Sequence, residues 1–336
     1  MTILKIEKEI KMNRLTKNSI VIVFFTVLIT SFVSIVIDLI PYRDNKKVYR
    51  VSCITSSSRD ENLSFFIEGI SRASKDMNVE VMINKLVENE ELESQIMLLK
   101  KELKNNIDAI LISPIDYEKL SKPIEYANDS IPVILINSKI KSNKNIPYLS
   151  SNNYNIGVDL AEEVVRRGNT RNNILVINNN FNSSNLKEMQ EGFINELKTS
   201  KNSFVELRLK DNEVSYYNQI LSSIDENNFE VLVSFNENII KILADIKKDM
   251  SYRNSKFDFQ LYGVSSANEM VSYIEEGVID ALAVQNEFNI GYLGVQMAMK
   301  KISNEKIDNI EIMHSIINKE NMYLEKNQKL IFPFIK

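Results

Sequence analysis

The sequence predicts two doubly wound α/β lobes preceded by a single membrane-spanning helix. Three observations predict this. A run without charge extends from Asn18 to Ile37; short apolar runs alternate with amphipathic stretches from Val48 onward; and the whole alternation recurs in the second half of the chain. A chain of 336 residues has room for two domains that bury cores without disulfides or metals.

The first element is the uncharged run. About twenty helical residues at 1.5 Å each span the ~30 Å hydrocarbon layer. Residues 1–18 then read as a cytoplasmic tail, 19–40 as a signal anchor and 41–47 as a linker. Lys5, Lys8, Lys11, Arg14 and Lys17 ahead of the run favour a cytoplasmic N-terminus. Arg43, Lys46, Lys47 and Arg50 follow it, but long domains translocate largely regardless of such charge, so the body is expected outside the cell. A cleaved signal peptide has a shorter apolar core and a small-residue cleavage site. A lipid anchor needs a cysteine directly after that core, whereas Cys53 lies inside the first strand. The alternative, a core helix of the body, would ordinarily keep a polar face toward water in a chain of this size. An uncleaved anchor fits length and flanks best, with cleavage left open.

The body follows. Val48–Thr55 reads as a strand, Leu63–Met77 as a helix with Phe66, Ile70 and Ala73 at helical spacing, and Val79–Ile83 as a strand. A charged helix from about Glu90 to Lys104, strand Ile107–Ser113, helix Glu118–Asn128 and strand Ile131–Asn137 complete the first series. Continuous apolar runs such as Ile107–Ser113 suit strands covered on both faces, as in a parallel sheet. The second series comprises strands Asn173–Ile177, Phe204–Leu209, Val231–Phe235, Phe259–Val264 and Ile279–Val284. Helices Asn185–Leu197, Val214–Asp225, Ile239–Met250 and Glu269–Glu276 separate them. Two Rossmann-like lobes place a cleft between them, and ligands of open α/β sheets bind beyond the carboxyl ends of the strands.

Composition narrows the chemistry. With 41 basic and 45 acidic residues, net charge −4, the chain lacks the footprint of a nucleic-acid binder. One Cys excludes an internal disulfide or a CxxC pair, and one His, His314, argues against histidine metal sites. No G-x-S-x-G, Walker loop or His-Glu-x-x-His occurs, so no enzyme activity, cofactor or metal is expected. Cys53 reads as a small buried hydrophobe and His314 as a packing or surface residue.

In the order of its motifs the chain resembles the type 1 periplasmic binding proteins, on the ribose-type sugar-binding branch, from roughly residue 48 to 325. The motifs are Ser113-Pro114-Ile115-Asp116, Ile131-Pro132-Val133-Ile134, Ser151-Asn152-Asn153 with Gly157, Glu191-Gly192-Phe193, Phe235-Asn236-Glu237, Tyr262-Gly263-Val264, Ala283-Val284-Gln285, Ile290-Gly291 and Gly294-Val295. The resemblance implies a hinged clamp: residues 48–151 plus 286–313 as one lobe, 152–285 plus 314–336 as the other. A three-segment hinge would lie near Ser151, Gln285 and Met313.

The resemblance also implies ligand-binding positions. They are Asp60, Asn62, Phe65 and Phe66 after the first strand, Ser113 after the third, and Asn137 and Ser138 after the fourth. Met189, Asn236, Ser265 and Gln285 follow in the second lobe. Four of these depart from the sugar-binding pattern. Asn137-Ser138 stands where an Asp-Arg pair is usual, Met189 where an Arg is usual, and Ser265 where an Asp is usual. Amides and hydroxyls then replace charged hydrogen bonds, which are the stronger and more directional kind. Asn and Ser also cap loops and helices everywhere, and about forty asparagines make that role common here.

The implied function is an extracellular, membrane-anchored receptor for a small polar ligand, a sugar or related metabolite, at the cell membrane. Its partner would be a sensor histidine kinase or the permease of an ABC transporter. The competing class is a ligand-free protein-interaction module with a degenerate pocket.

Overall fold

The computed structural model describes residues 19, 22–35, 47–55, 63–86, 91–179, 182–210, 214–252, 259–265 and 268–331. It divides into two units, Met1–Lys47 and Val48–Lys336. In the first, residues 22–35 are helical. Among the described residues no helix is long and apolar enough to cross a membrane. The expected anchor at 19–40 runs beyond the helical residues into 20, 21 and 36–40, which lie outside the described ones.

The second unit holds two six-stranded sheets. The first contains β1 (Tyr49–Ile54), β2 (Val79–Asn84), β3 (Ala109–Ile112), β4 (Val133–Ile136), β5 (Tyr148–Ser151) and β11 (Ile310–Ile312). The second contains β6 (Asn173–Asn178), β7 (Ser203–Arg208), β8 (Val231–Ser234), β9 (Gln260–Val264), β10 (Ala281–Gln285) and β12 (His314–Ile317). Their strand orders are β2-β1-β3-β4-β5-β11 and β7-β6-β8-β9-β10-β12, the same winding twice. All pairings are parallel except β10 with β12, where Gln285 faces His314 in an antiparallel register. The central strands β3 and β4 are buried at every position, as their unbroken apolar sequences require.

Each sheet is covered on both faces. In lobe 1, α1 (Ser64–Met77) and α9 (Glu287–Ile302) cover one face, and α2 (Glu91–Glu102) with α3 (Ser121–Ser130) the other. In lobe 2, α4 (Asn153–Arg166) and α5 (Ser184–Leu197) pack on one face. The opposite face carries α6 (Tyr216–Glu226), α7 (Glu237–Tyr252), α8 (Asn268–Glu275) and α10 (Glu325–Ile331). The expected alternation corresponds to this arrangement. The elements it passes over, β5, α4, α9, β11, β12 and α10, are mostly those at or beyond a passage between sheets, where short strands carry a weak period.

The chain passes between the sheets three times: after Ser151, after Gln285 and at Met313. The first two passages share one local device. Asn152 caps α4 by accepting from Asn155 N at 3.1 Å, and Asn286 caps α9 by accepting from Asn289 N at 2.9 Å. The same six-residue pattern, Asn-x-aromatic-Asn-Ile-Gly, stands at 152–157 and 286–291. Its glycine lets the new helix touch its partner backbone to backbone. A Cβ on Gly157 would lie 1.9 Å from Met189 O, and one on Gly192 would lie 2.0 Å from Tyr154 O. In lobe 1, Gly291 faces Phe66 O and Gly69 faces Phe288 O at similar distances, 2.3 and 2.0 Å.

After the third passage a polar network holds the C-terminal segment to lobe 2. His314 Nε2 lies 2.8 Å from Asp159 Oδ2, and Asn318 Nδ2 donates to Glu163 Oε1 at 3.0 Å. Glu163 is 6% exposed, and burial alone would push its carboxyl up; hydrogen bonds from Arg167, Arg166 and Asn318 win and hold it below the usual carboxylate value.

Gly157→Ala therefore forces α4 and α5 apart and is expected to cost about 1–3 kcal/mol, read as a lower denaturation midpoint at unchanged slope. A midpoint equal to wild type would contradict the close crossing. Cys53 is fully buried and its thiol is pushed up to about 12 by burial, so it should resist alkylation at pH 8 until the chain is unfolded.

Candidate functional site

The carboxyl ends of the strands in both sheets open toward the region between the lobes, and the loops there are fixed one by one. After β3, Gln95 reaches from α2 with both ends of its carboxamide. Its Nε2 donates to Ser113 O at 2.8 Å and its Oε1 accepts from Ile115 N at 3.1 Å. Asp116 Oδ1 then accepts from Glu118 N and Lys119 N at 3.0 and 2.7 Å, which closes the turn into α3.

After β4 the chain turns sharply at Asn137, whose φ is +60°, a left-handed conformation that Asn tolerates better than other side chains. The Asn137 carbonyl accepts from Tyr148 Oη at 2.9 Å, Ser150 Oγ at 3.2 Å and Asn153 Nδ2 at 3.1 Å. Burial pushes the Tyr148 hydroxyl upward, so it stays protonated as a donor. With the backbone held this way, the buried Asn137 Oδ1 has no hydrogen-bond partner among the described residues.

The next residues cross to the other lobe. Ser138 Oγ donates to Asn185 Oδ1 at 2.8 Å and lies 2.8 Å from Ser183 Oγ. Lys139 N donates to Ser184 Oγ at 2.7 Å, and Lys139 Nζ meets Glu188 Oε1 at 3.1 Å. Tyr117 N adds a bond to Asn182 O at 2.8 Å. The loops after β3 and β4 thus form a hydrogen-bonded seam with the start of α5. Ser183, Ser184, Asn185 and Glu188 were not singled out from the sequence. Their place just beyond a strand, in the Ser-Ser-Asn segment after β6, was the signal that could have found them.

In lobe 2 the side chain of Asn236 is used at both ends. Its Oδ1 accepts from Asn238 N and Ile239 N at 3.0 and 3.3 Å, and its Nδ2 donates to Asn179 Oδ1 at 3.1 Å. This is helix capping of α7. Ser265 Oγ donates to Glu237 Oε1. Gln285, at 9% exposure, ends β10 at the second passage, and its Oε1 has no partner among the described residues.

Six of the eleven expected positions therefore stand at strand ends: Ser113, Asn137, Ser138, Asn236, Ser265 and Gln285. Two do not serve as expected. Met189 is 1% exposed in the core under α4, and Phe66 is 3% exposed in the lobe 1 core. Both follow the spacing of a buried helix face. Phe65 is also buried, at 4% exposure, and Asp60 and Asn62 lie outside the described residues. Among the described residues no group of three His, Cys, Asp or Glu could hold a metal ion. Among the described residues the site has four buried carbonyl oxygens without a hydrogen-bond partner, Asn137 Oδ1, Asn153 Oδ1, Asn178 Oδ1 and Gln285 Oε1, each an acceptor suited to a hydroxyl donor.

Two acids also stand at strand ends and were not expected. Glu237 begins α7 and Glu287 begins α9. Burial, reinforced by the charge of Glu237, pushes the Glu287 carboxyl up to about 8.

A family model described as a periplasmic binding protein domain matches residues 53–306. No curated protein matches the sequence. Among solved structures, a carbohydrate transporter solute-binding protein from Agrobacterium radiobacter in complex with D-arabinose has 21% identity and a TM-score of 0.78, covering 85% of this chain and 100% of its own. A sugar transporter from Clostridium phytofermentans has 25% identity and a TM-score of 0.70, covering 81% and 100%. The XylFII–LytSN complex has 22% identity and a TM-score of 0.70, covering 82% and 99%.

The raised Glu287 carboxyl predicts a pH dependence. The folded chain keeps a proton on Glu287 up to about 8, while the unfolded chain loses it above about 4.5. Stability from this group is complete below 4.5 and is lost as pH rises to about 8. The melting temperature of Glu287→Gln should therefore gain on wild type across that window and level off above it. A pH-independent difference would contradict the assignment.

Proposed function

Because the chain belongs to the periplasmic binding protein domain family, we propose that it is a solute-binding receptor that clamps a small hydroxyl-rich ligand, a sugar or close relative, between its lobes. The observation that carries this reading is the set of buried carbonyl oxygens without a partner among the described residues, Asn137 Oδ1 on lobe 1, Asn153 Oδ1 and Asn178 Oδ1 on lobe 2, and Gln285 Oε1 at the passage out of lobe 2. A buried carbonyl without a donor is costly, and a polyol that bridges the two lobes supplies donors to both. A ligand that touches both lobes only when they approach shifts the clamp toward closure. The hinge of that motion is the three passages near Ser151, Gln285 and Met313. The sugar-bound neighbours support the ligand class, and the ribose-type branch within the family rests on the order of the sequence motifs alone.

The receptor is held at the outer face of the cell membrane. Residues 22–35 are helical with apolar side chains exposed all round, from 47% at Val33 to 66% at Ile22, and the uncharged sequence extends on both sides. That surface suits lipid, not water. The partner is a membrane sensor kinase, a reading favoured by an uncleaved anchor and by the likeness to XylFII in its complex with LytSN; delivery to an ABC permease is the alternative.

One observation favours a second reading, a module whose lobes close on each other without a ligand. The seam of Ser138, Ser183, Ser184 and Asn185 already supplies protein-to-protein bridges where the family pattern has charged ligand contacts. Each such bond contributes about 0.5–1.5 kcal/mol net.

A thermal-shift screen of the full chain against pentoses, hexoses, disaccharides and cyclitols tests the first reading. At least one should raise the melting temperature, and Asn137→Ala and Gln285→Ala should each weaken that ligand by roughly tenfold, as loss of one buried hydrogen bond implies. No shift from any polyol would sink it. Scattering from unliganded Ser138→Ala tests the second: a larger radius of gyration than wild type shows that the seam holds the lobes together, and an unchanged radius shows that it does not.

A further inference from the structure

Two acids stand on the carboxyl edge of the second sheet, where three neighbouring strands end. β8 leads into Glu237 at the start of α7, β9 ends beside Ser265, and β10 leads into Glu287 at the start of α9. Ser265 Oγ donates to Glu237 Oε1 and ties the first acid to the end of β9. The two helices belong to different lobes, since α7 packs in the core of lobe 2 and α9 in that of lobe 1. Two like charges therefore bear on each other across the passage between the lobes.

Glu287 is the more telling of the two. It is partly buried, and among the described residues its carboxyl makes no hydrogen bond or ion pair, yet neither oxygen is sealed from solvent. A helix start ordinarily favours an acid. Here burial and the charge of Glu237 outweigh that, and no cation among the described residues offsets them. The empty site meets its excess negative charge by keeping a proton on Glu287. Gln285, two residues back at the end of β10, is an independent sign of a ligand. It is 9% exposed, and its Oε1 has no partner among the described residues.

We propose that the interlobe site takes a polyol that carries a protonated amine, an amino sugar or amino alditol, with its ammonium group between Glu237 and Glu287. This deepens the solute-binding reading above and rests on it. An ammonium group has three N–H donors, enough for both carboxylates, and takes the place of the proton that the empty site holds. It also replaces repulsion between the lobes with attraction to a shared cation, whereas a neutral polyol leaves the repulsion in place. A metal ion fits less well, because among the described residues no three His, Cys, Asp or Glu gather to hold one. An amine without hydroxyls leaves the carbonyls at the strand ends without donors.

The test is calorimetric titration of the full chain with D-glucosamine, D-galactosamine, D-mannosamine and 1-amino-1-deoxy-D-glucitol. Each is paired with its neutral parent, and ammonium chloride serves as the charge control. At least one amine should bind roughly tenfold or more tightly than its parent, as a charged hydrogen bond implies. Glu287→Gln should bring that ratio close to one, while Gln285→Ala should weaken amine and parent alike. Parents that bind as tightly as their amines overturn the proposal and leave the solute-binding reading standing. It is also overturned if the ratio survives in Glu287→Gln, if ammonium alone reproduces the heat, or if Gln285→Ala leaves amine binding untouched, which would place the ligand outside the interlobe site. Binding by no member of any pair overturns both readings together. Should Glu287→Gln fail to fold, Glu237→Gln carries the same comparison.

Discussion

The close approach of two helix backbones, once in each lobe, is the constraint on which the rest of this structure depends. In lobe 1 it joins α1 to α9, and in lobe 2 α4 to α5. Both α4 and α9 begin where the chain has just passed from one sheet to the other, so each is the first element to engage its new lobe. The Asn cap sets the entry angle, and one turn later the glycine brings the helix onto a partner's carbonyl with no side chain between. Dispersion and burial act at full strength only at such separations. Because both passages use this contact, each lobe is closed on itself by a segment that arrives from the other. The strands at the passages are short, and Leu149, Leu282, Val284, Ile312 and Ile317 anchor them in the two cores.

That arrangement explains how the strand ends become a site. With the helices pinned, the loops after β3, β4 and β8 are not free to relax, and each is satisfied locally by a carboxamide or a hydroxyl. Gln95 holds the Ser113 loop, three donors hold the Asn137 carbonyl, and Asn236 caps α7. What remains unsatisfied is informative because so much else is satisfied. Among the described residues, Asn137 Oδ1, Asn153 Oδ1, Asn178 Oδ1 and Gln285 Oε1 are buried without a donor. The same loops also form the seam with α5, so in the proposed clamp, closure by ligand and closure by protein contacts would use neighbouring atoms.

Much of this was legible in the sequence. The alternating apolar runs reveal the two sheets because parallel strands such as Ala109–Ile112 and Val133–Ile136 are buried on both faces and carry no polar interruption. The passages were legible only through resemblance, since three-residue strands such as Ile310–Ile312 have no readable period. The site was less legible. The rule that ligands bind beyond strand ends finds the loops, but it cannot tell a side chain that reaches the cleft from one that caps a helix, as Asn236 does. Met189 and Phe66 show the opposite failure. Their spacing is that of a core face, and both side chains are buried in the cores. Glu287 and the seam residues of α5 were missed because acids and serines at helix starts are common and carry no signal of their own.

The central claim is that a polyol brings the two lobes together. Its most direct measurement is the distance between spin labels at Tyr126→Cys on lobe 1 and Val205→Cys on lobe 2, positions that are 68% and 54% exposed. The native Cys53 is fully buried and leaves the labelling clean. Saturating the protein with the sugar that most raises its melting temperature should narrow the distance distribution and move it to a single shorter or reoriented population. A distribution that every sugar leaves unchanged would contradict the clamp.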